Sequence, residues 1–250
     1  MPVKSTCPMS EASYRPWKEL TLSGIKTNLI TTTRINRGQG VRRRVEPGVK
    51  LPVDWNSFLR VDDNKTELFK YLAEQTIAIQ DKGKEVLSTS DCFVLTNSRE
   101  NTPRISPCSH EEADTRLLLH AFGAGKESYG KVMLRTVDTD VVVLAVAFFS
   151  RLDLGELWIT FGAGKAFHYI AIHEIAASLG QEKCEALQFF HAFTGCDQTP
   201  AFSGRGKSTA WNTWMAYQEP TDVFRSLSKT PTADEVSNAM PTIQRFVVLM

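Results

Sequence analysis

The sequence predicts a three-layer α/β domain whose mainly parallel sheet is flanked by helices, preceded by a loosely ordered N-terminal arm. Helix-like and strand-like segments alternate along the second half of the chain, and such alternation is typical of parallel sheets. The first fifty residues are instead rich in Ser, Thr, Pro and Gly and have few regularly spaced apolar positions. We therefore predict an arm over 1–50, an α/β domain over 51–218 and a C-terminal tail or helical extension over 219–250.

The first elements of the domain have separate signals. Asp62-Asp63-Asn64 can cap a helix, and apolar residues from Leu68 to Ile77 follow it at helical spacing, so a helix is predicted there. The segment Glu85–Thr96 contains several β-favouring residues and is predicted to form one strand. A polar loop then leads into the second half of the chain.

Alternation is clearest beyond that loop. The predicted order is helix Glu111–Phe122, strand Lys131–Val137, strand Glu156–Phe161, helix His173–Leu179 and helix Glu185–Phe193. Gly180 follows one of these helices and is a typical residue just beyond a helix end. The segment Asp140–Phe149 could be a strand or a buried helix, because its β-branched start and its apolar character fit both.

The composition fits a soluble globular protein. Hydrophobic residues make up 42% of the chain and charged residues 23%, which argues against wholesale disorder. The five cysteines are scattered, as in a reduced intracellular protein rather than a disulfide scaffold. No secretory signal is visible, and the longest apolar run, Val141–Phe149, is far shorter than the roughly 20 residues of a membrane-spanning helix. We expect an intracellular protein with no membrane partner.

A basic stretch with five arginines runs from Arg34 to Arg44. One interpretation is a solvated arm. The other is a segment that contacts nucleic-acid phosphates, because arginines on a glycine-flexed backbone can follow a strand. Under the second interpretation Arg42, Arg43 and Arg44 are candidate nucleic-acid-binding residues.

Three acidic clusters fall where an α/β fold presents ligands. Glu111-Glu112-Ala113-Asp114 starts a predicted helix, Asp138-Thr139-Asp140 follows the carboxyl end of a predicted strand, and Asp197 lies in a Thr-Gly-Cys-Asp loop. Taken singly, they also have ordinary explanations as helix-start, turn and N-cap residues. Taken together, they favour bound Mg²⁺ or Mn²⁺, because carboxylates gathered from several loops repel one another without a metal.

A glycine turn follows the last acidic residue. The residues Gly204-Arg205-Gly206-Lys207 precede a predicted helix, and such a turn exposes backbone N–H groups that can hold a phosphate. Arg205 and Lys207 would add positive charge there. We therefore expect Gly204, Arg205, Gly206 and Lys207 to contact a nucleic-acid backbone.

In order and spacing these motifs resemble the core of the flap endonucleases, which are PIN-like 5′-nucleases. In that family an acidic pair, an Asp-x-Asp motif and a Gly-x-Asp motif precede a helix-hairpin-helix turn. The matching residues here are Glu112, Asp114, Asp138, Asp140, Asp197, Gly204 and Gly206. The resemblance covers roughly residues 110–211. It implies a PIN-like fold with a helix-hairpin-helix-like turn.

The resemblance also implies an activity. It would make Glu112, Asp114, Asp138, Asp140 and Asp197 the ligands of one or two Mg²⁺ or Mn²⁺ ions. Asp138 and Asp140 would be catalytic, DNA would be the partner, and the nucleus would be favoured over the cytoplasm. The chain is also similar to uncharacterised animal proteins that share its His-Glu-Glu-Ala-Asp-Thr-Arg and Thr-Gly-Cys-Asp motifs.

The chain departs from the family upstream of these motifs. Flap endonucleases have two more metal-binding aspartates, at the end of the first strand and in an Asp-Gly turn, and neither has a counterpart before Arg34. We therefore expect a core that is truncated at its N-terminus. The leading hypothesis is a Mg²⁺-dependent nuclease. The alternative is an inactive relative that binds nucleic acid or another protein.

Other patterns are weaker. Two Gly-Ala-Gly-Lys pieces lack the first glycine and the Ser or Thr of a P-loop, so no nucleotide cofactor is expected. His191 with Cys196 could bind zinc, but the spacing matches no standard finger. Trp211 and Trp214 could stack on bases, although packing in a core is the more common role.

Overall fold

The computed structural model describes residues 40–50, 52–79, 84–98, 105–107, 113–197 and 199–250. The arm predicted over 1–50 therefore lies outside the described residues, apart from 40–50. In the described part the elements are α1 (Trp55–Leu59), α2 (Asp62–Ile77), β1 (Leu87–Ser90), β2 (Phe93–Thr96), α3 (Ala113–Lys126), β3 (Lys131–Thr136), α4 (Thr139–Phe148), β4 (Glu156–Phe161), β5 (His168–Ala171), α5 (Ile172–Leu179), α6 (Gln181–Phe193), α7 (Lys207–Ala216), α8 (Pro220–Leu227) and α9 (Ala233–Leu249). Over these described ranges the fold is mixed α/β and mostly helical, with one two-stranded and one three-stranded sheet.

In the N-terminal part of the domain, the structure has two strands where the sequence predicted one. Helix α2 begins at Asp62, directly after its N-cap Val61, so Asp62 lies in the first turn. The segment Glu85–Thr96, predicted to be a single strand, is instead the antiparallel pair β1–β2. The chain turns between the two strands at Asp91, which has a φ of 55°. Aspartate tolerates this left-handed conformation, and a two-residue turn leaves no signal in hydrophobic periodicity.

The larger sheet has the strand order β3–β4–β5. Strands β3 and β4 are parallel and are connected by α4, so the ambiguous segment Asp140–Phe149 is helical. Strand β5 pairs with β4 in the antiparallel sense, and the sheet is therefore mixed rather than mainly parallel. The reason is the short connection: residues 162–167 alone separate β4 from β5, whereas a parallel crossover needs a dozen or more residues.

Helices pack against one face of this sheet. That face carries Val132, Leu134 and Ile159, which are buried in one hydrophobic core with side chains of the surrounding helices. Because side chains alternate along a strand, the opposite face carries a different set. Its members are Lys131, Met133, Arg135, Trp158 and Tyr169. The described residues do not complete a helix layer there, which the predicted three-layer arrangement requires, and Arg135 and Tyr169 remain exposed.

The last three helices extend the same core. They bring Trp214, Phe224 and Phe246 against Phe190 of α6, and all four side chains are buried. Phe190 stacks on Trp214 with ring centroids 4.8 Å apart, and Phe224 meets Phe246 edge to face at 5.3 Å. The segment 219–250 is thus helical and packs on the domain. Among the residues that the structure describes, none of the helices combines the length and the apolar character that crossing a membrane requires.

His120 connects α3 to the β1–β2 hairpin. Its Nε2 lies 3.0 Å from Thr89 Oγ1, and Arg116 on the same helix donates to the Asp91 carbonyl. The other ring nitrogen, Nδ1, is buried without a hydrogen-bond partner in the described part of the chain. Burial, with a smaller contribution from Arg116, lowers the pKa of His120 from 6.5 to about 4.

We expect this histidine to make the fold less stable in acid. Between pH 6.5 and about 4 the unfolded chain binds a proton on His120 that the folded chain does not, so stability falls as the pH falls through this window. The loss is at most about 3 kcal/mol. Urea unfolding at pH 7 and pH 4 measures it. His120→Gln should reduce the loss, whereas His168→Gln, at an exposed histidine, should not; an undiminished loss in His120→Gln would contradict this assignment.

Candidate functional site

Asp138 and Asp140 lie where β3 leads into α4, at the carboxyl end of the parallel strands. Asp138 is the N-cap of α4, and its Oδ1 accepts a hydrogen bond from the Asp140 N–H at 3.0 Å. The Asp138 N–H donates in turn to Thr136 Oγ1 at 3.0 Å. Asp140 lies in the first turn of the helix, where the helix dipole favours a carboxylate. The capping role is therefore real, and it holds the two acidic residues next to each other.

His191 of α6 faces this pair. Its Nε2 lies 3.1 Å from Asp140 Oδ1, and its Nδ1 lies 3.3 Å from Nζ of Lys207, the first residue of α7. Since a lysine ammonium can only donate, Nδ1 accepts, and Nε2 carries the hydrogen that is donated to Asp140. Hydrogen bonds thus run from Lys207 through His191 to Asp140.

The electrostatics of this cluster agree with a neutral imidazole. Burial and then the Lys207 ammonium lower the pKa of His191, while Asp140 and Asp138 act in the opposite direction. Burial also lowers the pKa of Lys207, and the negative charge of Asp140 opposes that shift. A neutral His191 therefore lies between the lysine cation and the acidic pair.

Lys207 also joins the predicted glycine turn to the end of α6. Its ammonium donates to the His191 carbonyl at 2.7 Å and to Thr194 Oγ1 at 3.1 Å. Gly204 has a φ of 71° and Gly206 is the N-cap of α7, so the predicted turn at the start of a helix is present. Arg205 in this turn is exposed. Lys207 therefore holds the site together, whereas Arg205 and the turn backbone are accessible to a ligand.

Asp197 lies on a tight turn directly after α6. The backbone N–H groups of Cys196 and Thr199 bond to each other's carbonyls at 3.1 and 3.2 Å, which closes the turn. Thr199 Oγ1 donates to the Ala192 carbonyl at 2.6 Å, so the Cys196 thiol, 3.2 Å away, is the donor in its own contact with that hydroxyl. Asp197 is exposed. Lys207 donates to Thr194 and to His191, and His191 donates to Asp140, so this turn is connected to the acidic pair only through intervening residues.

The first acidic motif is described in part. Glu112 lies outside the described residues, and Asp114 is in the first turn of α3. Helix α3 contacts β3, and residues 127–130 alone connect them, so α3 runs back along the strand. Asp114 does not join Asp138 and Asp140 in a group that could hold a metal ion among the described residues.

A metal ion would have to share this site with water and substrate. In the described residues, no group of three acidic, histidine or cysteine side chains is arranged to hold a metal ion. Asp138 and Asp140 nevertheless bring two carboxylates together, and Mg²⁺ commonly binds one or two carboxylates while keeping waters and taking substrate phosphate oxygens. The donor set fits one such ion. It does not form the four-ligand enclosure of a structural zinc site.

The described arginines of the basic stretch differ in their surroundings. Arg42 forms an ion pair with Glu67 of α2, and its guanidinium also donates to Asn64 Oδ1 at 3.0 Å. Asn64 is fully buried, and its Oδ1 also accepts from the Arg43 N–H at 2.9 Å. The side chains of Arg43 and Arg44 are exposed. Arg42 therefore fixes this segment to α2, while Arg43 and Arg44 are accessible to a phosphate.

His191 is the residue of this cluster that the sequence did not place in the predicted site. It drew attention only as a zinc ligand with Cys196, because a single histidine on a helix forms no motif. The usable signal is its position, since it lies on the last turn of α6, immediately before the Thr194 loop. Side chains on that turn must lie beside any ligand that the loop binds.

The site as a whole is assembled from segments that are distant in sequence. Asp138 and Asp140 come from the β3–α4 junction, His191 from α6, Asp197 from the turn after it, and Lys207 from α7. Their hydrogen bonds connect three of these segments directly. Comparisons of the chain with models of protein families, with curated proteins and with solved structures found no match.

Proposed function

We propose that the chain is a Mg²⁺-dependent, nuclease-like domain that acts on phosphodiester bonds of structured DNA in the nucleus, with the PIN-like core that its motifs resemble. The observation that supports this most is the series of hydrogen bonds from Asp140 through His191 to Lys207, which also donates to Thr194 in the loop that carries Asp197. Asp140 and Lys207 are distant in sequence, and each was a predicted site residue on other grounds. Their convergence at the carboxyl end of parallel strands is where α/β folds bind ligands.

In this proposal carboxylates bind the divalent ion. Asp138 and Asp140 are the principal ligands and the catalytic pair. Glu112, Asp114 and Asp197 would coordinate the ion only after their segments move closer, since the described side chains form no group of three that could hold it. When bound, the ion activates a water molecule and neutralises charge on the phosphate. The remaining coordination positions would be taken by water and by phosphate oxygens.

Other residues orient these carboxylates and bind the substrate backbone. His191 donates to Asp140 and so fixes the direction of that carboxylate. Lys207 keeps His191 in the tautomer that can do so. The Arg205 N–H donates to the Phe202 carbonyl, so the backbone N–H groups that can bind a phosphate are those of the first turn of α7, and Arg43 and Arg44 supply positive charge along the chain.

A second candidate function is a catalytically inactive module that binds nucleic acid or protein. One observation favours it specifically: the Lys207 ammonium is within hydrogen-bonding distance of three protein acceptors, so its capacity to bind a phosphate is already used. Asp140 is likewise engaged by His191. A site stabilised in this way could keep its shape without a metal.

We expect calorimetry to show Mn²⁺ binding by the wild-type protein and binding at least tenfold weaker, about 1.4 kcal/mol, in Asp138→Asn/Asp140→Asn. The substitutions remove two negative charges that a hard cation prefers as ligands. Asparagine is also a good N-cap, so α4 should still form in the variant. The matched control is Asp234→Asn, an exposed residue of the first turn of α9.

Three outcomes distinguish the two candidates. Binding that is lost in the double variant and kept in the control supports the metal site. Absence of Mn²⁺ binding in folded wild-type protein would reject it and favour the inactive module. If binding is found, cleavage of a branched DNA in Mg²⁺, abolished by Asp140→Asn, would establish the nuclease, and its absence would leave a metal-dependent binding module.

A further inference from the structure

The three-stranded sheet has a face that the helical core does not use. The registers place Arg135 of β3, Thr160 of β4 and Tyr169 of β5 side by side across the three strands. Cross-strand partners point to the same side of a sheet, so Arg135 and Tyr169 share one face. Trp158 and Met133 lie on the same face one pair further along and are half-buried, and the Trp158 ring packs against His173 of α5. We call these residues and the adjoining Phe167 the open face.

Aromatic rings on the open face are unusually accessible. Tyr169 is 60% exposed and Phe167 is 39% exposed, and their rings meet edge to face with centroids 5.3 Å apart. An isolated exposed apolar residue is common, but here the edge of one aromatic ring packs against the face of the other, and Tyr169 keeps most of its surface accessible. The π-face of a nucleic-acid base stacks on such rings whatever the base, which gives binding that tolerates any sequence.

The charge of the open face is complementary to a phosphate backbone. The acidic residue next to the open face, Glu156 of β4, is paired with Lys131 at 2.6 Å and accepts from Trp158 Nε1 at 3.0 Å. The Lys131 ammonium, and then Trp158, lower the pKa of Glu156, against the opposing effect of burial. Arg135 is exposed and has no ion-pair partner among the described residues. Arg135 thus adds, beside the aromatic rings, a positive charge that no residue of the described ranges neutralises.

The open face also leads to the candidate site. Arg135 is the second-last residue of β3, and the chain reaches Asp138 immediately after that strand. Tyr169 is two strands away, which at the usual spacing is about 10 Å. A nucleic-acid strand lying across β5 and β3 would therefore extend toward Asp138.

We propose that the open face binds a single-stranded nucleic-acid segment, with a base stacked on Tyr169, whose ring Phe167 supports, and a backbone phosphate on Arg135. In terms of the proposed function, the open face would bind the unpaired strand of the structured DNA substrate. The direction toward Asp138 depends on that proposed function. The binding itself does not, because none of the three residues is a metal ligand.

The test is fluorescence anisotropy with a labelled oligothymidylate of about 12 nucleotides, a length within the usual site sizes. EDTA in the buffer removes divalent cations, so the metal site does not contribute. We expect Tyr169→Ala to weaken binding about tenfold or more, because one stacked base is lost. Tyr169→Phe should bind nearly as the wild type does. Arg135→Gln should make the slope of log affinity against log salt shallower by about 0.7, the value for one phosphate contact on a single strand.

Matched controls test whether the effect belongs to this face. Phe93→Ala removes an aromatic ring that is 57% exposed on the other sheet, and Arg60→Gln removes an exposed arginine elsewhere. Neither should change the affinity by more than about twofold, as expected of residues that make no contact. Equal binding by Tyr169→Ala and wild type would overturn the proposal.

Two further outcomes would also overturn it. One is no binding by the wild type at about 0.1 mM protein, where even non-specific nucleic-acid binding is detected. The other is a wild-type dimer, seen by light scattering, that Tyr169→Ala converts to a monomer without changing oligonucleotide binding. In that case the open face is an interface between two copies. The nuclease proposal would survive either result, because its own test is metal binding by the acidic pair.

Discussion

Replacing Trp214 with alanine should lower the free energy of unfolding by about 3–5 kcal/mol. Trp214 is completely buried at the centre of the aromatic cluster, where it stacks on Phe190 at 4.8 Å and meets Phe224 edge to face at 5.4 Å. Its indole N–H donates to Thr221 Oγ1 at 3.0 Å, so the substitution leaves a cavity and also deprives a buried hydroxyl of its donor. Urea unfolding followed by far-ultraviolet circular dichroism measures the loss without depending on tryptophan fluorescence.

Trp211 provides the matched control, since it is on the same helix three residues earlier. It is partly exposed and contacts Phe190 at 5.7 Å with its ring edge. Trp211→Ala should therefore cost about half as much or less. Equal losses in the two variants would show that the cluster is not centred on Trp214. The burial also confirms packing as the role of Trp214, because a fully buried ring cannot stack on a base.

Gly195→Ala should destabilise the protein by about 3 kcal/mol or more. Gly195 has a φ of 100°, a conformation that residues with a side chain rarely adopt. A Cβ atom built there would lie 2.7 Å from both Cα and Cβ of Ala201, so the backbone of one of the two segments would have to move. The turn that carries Asp197 would be displaced with it. Chemical unfolding measures the loss of stability.

Gly204→Ala is the control for the effect of φ alone. Gly204 also has a positive φ, 71°, but a Cβ atom there would have no neighbour within 4 Å. This variant should lose about 1 kcal/mol from the left-handed conformation and nothing from a clash. The difference between the two variants therefore isolates the close approach of Gly195 to Ala201. If Gly195→Ala were as mild as Gly204→Ala, the tight packing of this turn would be disproved.

Local patterns predicted most elements but not how they pair. The strands at Lys131 and Glu156 and the helix before Gly180 were predicted closely, because hydrophobic periodicity and helix-end residues are local signals. The hairpin at Asp91 was missed, since one residue with a positive φ reverses the chain without altering its composition. The antiparallel β5 was missed for a related reason. The short connection between β4 and β5 makes β5 antiparallel, but the sequence prediction did not include a strand within residues 162–171, so this connection could not be assessed.

The candidate site was predictable to the extent that it is made of motifs. Asp138, Asp140 and the glycine turn were found from their spacing, and the structure brings their segments together. Lys207 was predicted to contact a nucleic-acid backbone, but its ammonium already donates to the His191 carbonyl. Motif spacing could not have shown this contact, because it depends on how α6 and α7 pack. The contact of His191 with Asp140 could not be predicted without the packing of α6 against α4. Residues that act by contact with other side chains need the tertiary structure.

The strand order of the larger sheet has a consequence for how the protein behaves at high concentration. Strands β3 and β5 are its outer strands, so within the described residues each has a row of backbone N–H and C=O groups that no neighbouring strand pairs. Such a row can accept a strand from another molecule and so start aggregation. Both outer strands are short, and β3 carries charge at Lys131 and Arg135. Short edge strands and charged side chains on them both disfavour the addition of a strand from another molecule. Lys131 and Arg135 therefore help to prevent intermolecular pairing along β3.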